Sequence, residues 1–281
     1  MQKIAILTDS GSDLTLEELR ENNLEFAPFK IIYSYGEFED KIDLSPQEVY
    51  DSLEKEIPKT SLPSTARIEN ILNKLEDEGY THLIAVTISS GLSGTGNAIR
   101  LALEDHPKLI SYVYDTKILS MAEGALVLNT AKMVKEGLSF EEIIDKLPKL
   151  REKTYGYFTI STLEYLKKGG RIGKVAGTIG EILNLKPIIS VDQEGVYYTY
   201  AKVRGRKQSM NRIYKIAKEH LEKSKCKIWV LNGGSSSEEF DSLYKLISGL
   251  DNIESIAPAT IGPALGVHTG PGLLGVVVQE V

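Results

Sequence analysis

Short hydroxyl-rich loops carry most of the chemistry this chain offers. Four stand where an apolar run ends or a helix begins: Thr8-Asp9-Ser10-Gly11-Ser12, Thr60-Ser61-Leu62-Pro63-Ser64, Ser89-Ser90-Gly91-Leu92-Ser93-Gly94-Thr95 and Asp115-Thr116. Hydroxyls beside the unpaired amides and positive dipole end of a helix start suit an anion, carboxylate or phosphate. The same residue types also serve as plain caps and turns. Gly91-Leu92-Ser93-Gly94-Thr95 nearly matches the nucleophile elbow G-x-S-x-G, with Thr95 where the second glycine would be. Ser93, Asp115 and His268 follow the chain order of α/β-hydrolase triads, so a serine esterase or thioesterase using them is the alternative reading. The same anion-friendly loops also admit a weaker one, a subunit of a small-metabolite kinase.

Among the four histidines, His82, His106 and His220 read as structural or solvated. His268 stands apart inside Gly262-Pro263-Ala264-Leu265-Gly266-Val267-His268-Thr269-Gly270-Pro271-Gly272, a glycine and proline density that predicts an irregular, function-bearing loop. Arg171, between glycines in Lys167-Lys168-Gly169-Gly170-Arg171-Ile172-Gly173-Lys174, suits a carboxylate or phosphate through its planar fork. Lys202-Val203-Arg204-Gly205-Arg206-Lys207 is the densest cationic run. It is either a solvated face or a docking patch for an acidic or phosphorylated partner.

Composition removes several function classes. The 281 residues carry 33 Lys+Arg against 39 Asp+Glu, a net charge of −6, which argues against nucleic-acid binding by bulk charge. A single cysteine, Cys226, cannot form an internal disulfide or a zinc site, and no other Cys or His stands at metal-ligand spacing. No G-x-x-x-x-G-K-[ST] run supplies the nucleotide-binding loop of a phosphotransferase. The apolar run after Met1 is too short for a signal peptide, and no stretch approaches the ~18–20 residues of a membrane span. A cytoplasmic protein without stable membrane insertion is expected.

These loops need a frame. Strand-length apolar runs at 4–7, 82–88 and 110–114 alternate with amphipathic stretches at 66–78, 95–104, 121–135 and 140–150, which predicts a parallel sheet with helices on both faces. Thr15/Glu18, Ser45/Glu48 and Ser139/Glu142 read as capping boxes, and Gly79 as a left-handed helix stop. After about Lys153 the pattern changes. Strands at 155–160, 188–192 and 196–203, the last two flanking the turn Gln193-Glu194-Gly195, mix with helices at 162–168, 175–185, 208–223 and 238–250 and strands at 227–231, 253–258 and 274–278. A hairpin among helices predicts a mixed sheet covered mainly on one side. The fold class is therefore α/β in two domains, 1–155 an α/β/α sandwich with a parallel sheet and 156–281 a two-layer α/β domain with a mixed sheet, the ligand cleft between them.

The quoted loops, in order from about Ile4 to Val278, together resemble the DegV family. That resemblance implies the same two-domain architecture and a long-chain fatty acid buried between the domains, with no other cofactor. It further implies that the fatty acid is presented to a separate fatty acid kinase, which makes an acyl phosphate. By the same resemblance the carboxylate ligands are Ser61 and Ser93, with Thr60, Gly94 and Thr95 as neighbours. Arg171 and His268 match positions for headgroup binding or transfer, and Arg204 and Arg206 fall where the kinase would dock. The tail is a plausible source of affinity, since ~14 buried methylenes are worth roughly 11 kcal/mol before ordering costs.

Overall fold

The computed structural model describes residues 2–178 and 184–281. β1 (Ile4–Asp9) leads through one 3₁₀ turn (Ser10–Ser12) into α1 (Leu16–Glu21). There Glu18 N donates to Thr15 Oγ1 while the Glu18 carboxylate accepts from Thr15 N, the expected reciprocal cap. β2 (Glu25–Ala27), β3 (Lys30–Tyr33) and β4 (Gly36–Glu39) follow, and α2 (Pro46–Ser52) repeats the box with Ser45 and Glu48. Next come β5 (Lys59–Ser61), α3 (Thr65–Asp77), β6 (His82–Thr87), α4 (Thr95–Leu103), β7 (Ile110–Asp115), α5 (Met121–Lys135) and α6 (Phe140–Glu152). Ser139 and Glu142 form the third box, and Gly79 takes φ +75° just after α3.

β2, β1, β6 and β7 pair in that order, all parallel. Alternation along the strands sends Ala5, Leu7, Leu83 and Ala85 to a core with α3 and α4, and Ile6, Ile84 and Val86 to one with α5 and α6. This is the α/β/α sandwich. Four short strands escape the sequence pattern: β2 at the sheet edge, and β3, β4 and β5, which form a separate antiparallel sheet in the order β4-β3-β5. Three or four residues hold too few repeats for a periodic signal. Lys59–Ser61, expected as loop, is thus a short edge strand paired to β3.

The second half contains β8 (Thr154–Thr159), α7 (Glu164–Lys168), a 3₁₀ segment (Gly173–Thr178), β9 (Ile188–Val191), β10 (Tyr197–Ala201), α8 (Arg206–Leu221), β11 (Cys226–Gly233), α9 (Ser237–Ser248), β12 (Ile253–Thr260), α10 (Pro263–Thr269) and β13 (Leu273–Glu280). Their sheet runs β10-β9-β8-β13-β11-β12 and is mixed, because β11 and β12 are parallel while the other pairs are antiparallel. Ile213, Ile216 and Leu221 of α8, with Leu243 and Ile247 of α9, cover one face. The other face, through Phe158, Ile189 and Val277, joins the core that contains α5. Helix α5 therefore meets both sheets, which explains why its sequence is apolar nearly all round.

Two expectations are corrected. The helix expected over 175–185 is a 3₁₀ segment as far as Thr178, and 179–183 lie outside the described residues. The irregular loop expected around His268 is helix α10, started by Pro263 in its first turn and stopped by Gly270 at φ +65°. Proline before and glycine after are helix punctuation as well as loop residues.

Candidate functional site

Helix α10 is held from the opposite lobe. Gly262 N donates to Asp13 Oδ1 at 2.8 Å and Ala264 N to Asp40 Oδ1 at 3.0 Å, so two buried carboxylates occupy its free amides. Ser120 Oγ donates to Asp13 Oδ2 at 2.5 Å, and Lys41 Nζ lies 3.7 Å from Asp13 Oδ1. Near its other end α10 carries His268, whose position is thereby fixed by the turn after β1.

His268 closes one side of a chamber of about 260 Å³, where Thr60, Ser61, Ser93 and Arg171 also line the wall. β5 brings Thr60 and Ser61, and the loop between β6 and α4 brings Ser93. His268 Nε2 and Thr60 Oγ1 are 2.7 Å apart, and Ser93 Oγ is 2.8 Å from Thr95 Oγ1. Arg171 donates through Nη1 to Gly169 O at 2.7 Å and through Nε to Leu92 O at 3.4 Å. The two glycines before it have distinct uses. A Cβ on Gly169 would collide with His268 Nδ1, while Gly170 adopts φ +71°. Burial, with Arg171 adding to it, pushes the His268 pKa down to about 4, so the ring is neutral at pH 7. Its Nδ1 is buried without a hydrogen-bond partner among the described residues. Ser61 and Leu62 are exposed, and the chamber opens beside them.

Leu119, Tyr197 and Leu265 line both this chamber and a second one of about 480 Å³. The two thus adjoin across these three side chains. Ala122 of α5 and Phe158, Leu231 and Val277 of the mixed sheet wall the larger part. Gly156 of β8 keeps the passage wide, a Cβ there lying 3.7 Å from that of Ala122. A small chamber lined by hydroxyls, His268 and Arg171, beside a larger one partly walled by apolar side chains, suits an amphiphile with an anionic head.

The structure brings together Thr60, Ser61, Ser93, Arg171 and His268. A Cβ added at Gly94 would lie 3.7 Å from the Leu62 side chain, and Thr95 is buried behind Ser93, so both stand beside the chamber and do not line it. No triad is assembled. His268 Nε2 faces Thr60, while the Asp115 carboxylate accepts from Ser90 N and Lys117 N and pairs with Lys117 Nζ at 2.8 Å. The first hydroxyl loop turns inward: Thr8, Asp9, Ser10 and Ser12 are fully buried. Arg204 is exposed in a basic groove with Lys202, Arg212 and Lys215, whereas Arg206 makes a two-pronged bond to Glu239 at 2.8 and 2.9 Å. His82, His106 and His220 bond within the fold, to Thr81, to Glu69, and to Tyr157 and Glu280. Sequence reasoning missed Asp13 and Asp40 as the residues that seat α10, and Leu119 and Tyr197 as the neck.

The model of the DegV family, described as "Uncharacterised protein, DegV family", matches residues 3–281. This chain belongs to the DegV family. A DegV domain-containing protein of Clostridium perfringens is 51% identical over 280 residues, covering 100% of this chain and 99% of the relative. A fatty-acid-binding DegV family protein of Thermus thermophilus superposes with a TM-score of 0.92 at 27% identity, covering 100% of both chains. A stearic-acid-binding protein of Eubacterium ventriosum does so with a TM-score of 0.88 at 31% identity, covering 100% of this chain and 98% of that one. The two-sheet architecture of this chain is thus that of its DegV neighbours. Among the described residues no helix is long and apolar enough to cross a membrane, and no cluster of His, Cys, Asp and Glu is arranged to hold a metal.

Proposed function

We propose that this DegV protein binds a long-chain fatty acid, its carboxylate in the small chamber and its tail in the large one. The observation that carries the reading is that the two chambers adjoin at Leu119, Tyr197 and Leu265. The ligands bound by the Thermus and Eubacterium relatives support it. Within the head chamber a neutral imidazole that donates from Nε2 to Thr60 Oγ1 frees the Thr60 hydroxyl proton for a ligand oxygen. Ser61 and Ser93 add hydroxyl donors, and Arg171 supplies the single cation that keeps a buried carboxylate from being unpaired. Among the described residues the chamber's one hydroxyl–imidazole contact, Thr60 with His268, has no acid on Nδ1 to orient the ring as a base, so we read the protein as a non-catalytic carrier.

We further infer that the carrier acts in the cytoplasm and hands the carboxylate to a fatty acid kinase that forms the acyl phosphate. The exposed opening at Ser61 and Leu62 and the basic groove with Arg204 support this, whereas Arg206 is engaged by Glu239 and does not line that groove. We divide the carrier into lobes 1–155 and 156–281, within two residues of the entry of β8 into the mixed sheet. The test is mass spectrometry of denatured, freshly purified protein, with uptake of hexadecanoic acid by the delipidated protein as the second arm. A long-chain acid released, or taken up, is expected. Changing Ser61→Ala and Ser93→Ala together is expected to weaken uptake about 100-fold, at ~1.5 kcal/mol per lost bond to a charge, with the fold intact. Absence of both endogenous acid and uptake would refute the reading, and unchanged affinity in the double variant would refute the headgroup assignment.

A further inference from the structure

The large chamber does not end as a hydrocarbon slot. The register of β8 sets its direction. Thr159 lies opposite Leu274 and Thr154 opposite Gln279, so the apolar neck and the Thr154 end are separated along the strand. β9, antiparallel to β8 from the pair Ile189–Phe158, carries its turn back to that same end, and Ser190 Oγ bonds Gly156 O on the way. The Thr154 end is about 13 Å from Phe158, at ~3.3 Å per residue. Its lining is Arg151, Glu152, Thr154, Asp192 and Gln193. Glu152 and Gln193 are exposed, so the lumen has a second, polar opening there.

Arg151 is the unusual member. It belongs to the last turn of α6, where a cation complements the helix dipole. Nε donates to Thr116 O at 2.6 Å, Nη1 to Thr154 O at 3.2 Å and Nη2 to Lys117 O at 3.3 Å. Three of five guanidinium N–H groups are thereby used. Among the described residues no Asp or Glu forms an ion pair with it, and burial disfavours its charge. The nearby Asp192 is engaged by Lys174 at 2.7 Å. Bonds to the 116–117 backbone and to Thr154 therefore account for three N–H groups and leave two without a protein acceptor among the described residues, on a side chain that lines the lumen. A terminal methyl offers them nothing, and an oxygen offers a hydrogen bond.

We propose that the tail chamber selects long-chain acids bearing a hydroxyl at or near the ω end, which Arg151 hydrogen-bonds at the rear opening. The inference rests on the fatty-acid reading above and extends it to the far end of the ligand. The test compares binding of hexadecanoic acid and 16-hydroxyhexadecanoic acid to the full-length delipidated protein and to Arg151→Met. Wild type is expected to bind the hydroxy acid at least as tightly as the parent acid. A hydroxyl buried without a partner would weaken binding by roughly one to two orders of magnitude instead. In Arg151→Met the hydroxy acid is expected to lose about tenfold, the cost of one hydrogen bond to a charge, while the parent acid changes less than threefold. Should that variant not fold, the wild-type ratio decides alone. Tight binding of hexadecanoic acid with the hydroxy acid ten or more times weaker overturns this proposal and leaves the fatty-acid reading standing. So does equal weakening of both acids in Arg151→Met. Failure of both acids to bind wild type overturns the fatty-acid reading, and this proposal with it.

Discussion

His268 combines two features that ordinarily conflict, a polar ring and a buried place. Gly169 lets the ring lie against the Gly169-Gly170-Arg171 turn, and Thr60 takes its Nε2. Burial first, and the Arg171 charge second, lower its pKa to about 4. In the unfolded chain the same ring takes its proton near 6.5. Stability from this group is therefore complete above pH 6.5 and lost as pH falls through 6.5 toward 4, where only the unfolded state gains the proton. In delipidated protein the ring C–H resonances of His268 are expected to stay fixed from pH 8 to pH 5.5. A midpoint near 6.5 would mean that water reaches the ring, and the donor role assigned to Thr60 would go with it.

At the scale of elements, the unit that matters is α10 seated on the β1 turn. Asp13 and Asp40 each take one of its first amides, yet they lie together with Asp9, Glu123 and one lysine, Lys41, in a buried space. Burial, opposed by Lys41 and reinforced by Asp13, raises the Asp40 pKa to about 6; burial raises that of Asp9 to about 7. A carboxyl whose folded pKa is raised stabilises most below its unfolded value and loses that contribution as pH rises through the folded one. This is the reverse of His268. Asp40→Asn keeps an oxygen for Ala264 N and removes the charge. It is expected to match wild type at pH 4.5 and to exceed it at pH 8 by on the order of 2 kcal/mol, measured by urea unfolding at both pH values. Equal differences at the two pH values would show that Asp40 does not titrate in this range. The same cluster marks where sequence reading stopped. Capping boxes at Thr15, Ser45 and Ser139 and the βα alternation were legible because they are local and repeat. Thr8-Asp9-Ser10-Gly11-Ser12 has the composition of a ligand loop and faces the core, since direction depends on what packs above it, here α5 and α10. The one strong hint was Glu123, an acid within the otherwise apolar first two turns of α5.

At the scale of the whole molecule, the lumen exists because two sheets share α5 without touching along their full length, and a clasp closes the gap. Ser89 Oγ donates to Gly195 O at 2.8 Å, joining the β6–α4 loop to the β9–β10 turn. The fit is tight on both sides: a Cβ on Gly91 would lie 2.6 Å from Gly195 O, and one on Gly195 would strike the Ser89 side chain. The neighbours of this contact line the lumen, Leu92 in the head chamber and Asp192 and Gln193 in the tail chamber. Parting of the lobes at this contact would widen the way out, and the clasp is a single neutral hydrogen bond of about 1 kcal/mol. Gly195→Ala breaks it and also strains a residue at φ +80°. Gly79→Ala supplies the control, with φ +75° and nothing within 4 Å of the added carbon. Both variants are expected to lose about 1 kcal/mol of stability from the left-handed backbone alone. Only Gly195→Ala is expected to release a bound fluorescent long-chain acid faster, by roughly tenfold, in stopped-flow transfer to acceptor vesicles. If the two release it at the same rate, the route out lies elsewhere, and the open side at Ser61 and Leu62 becomes the door.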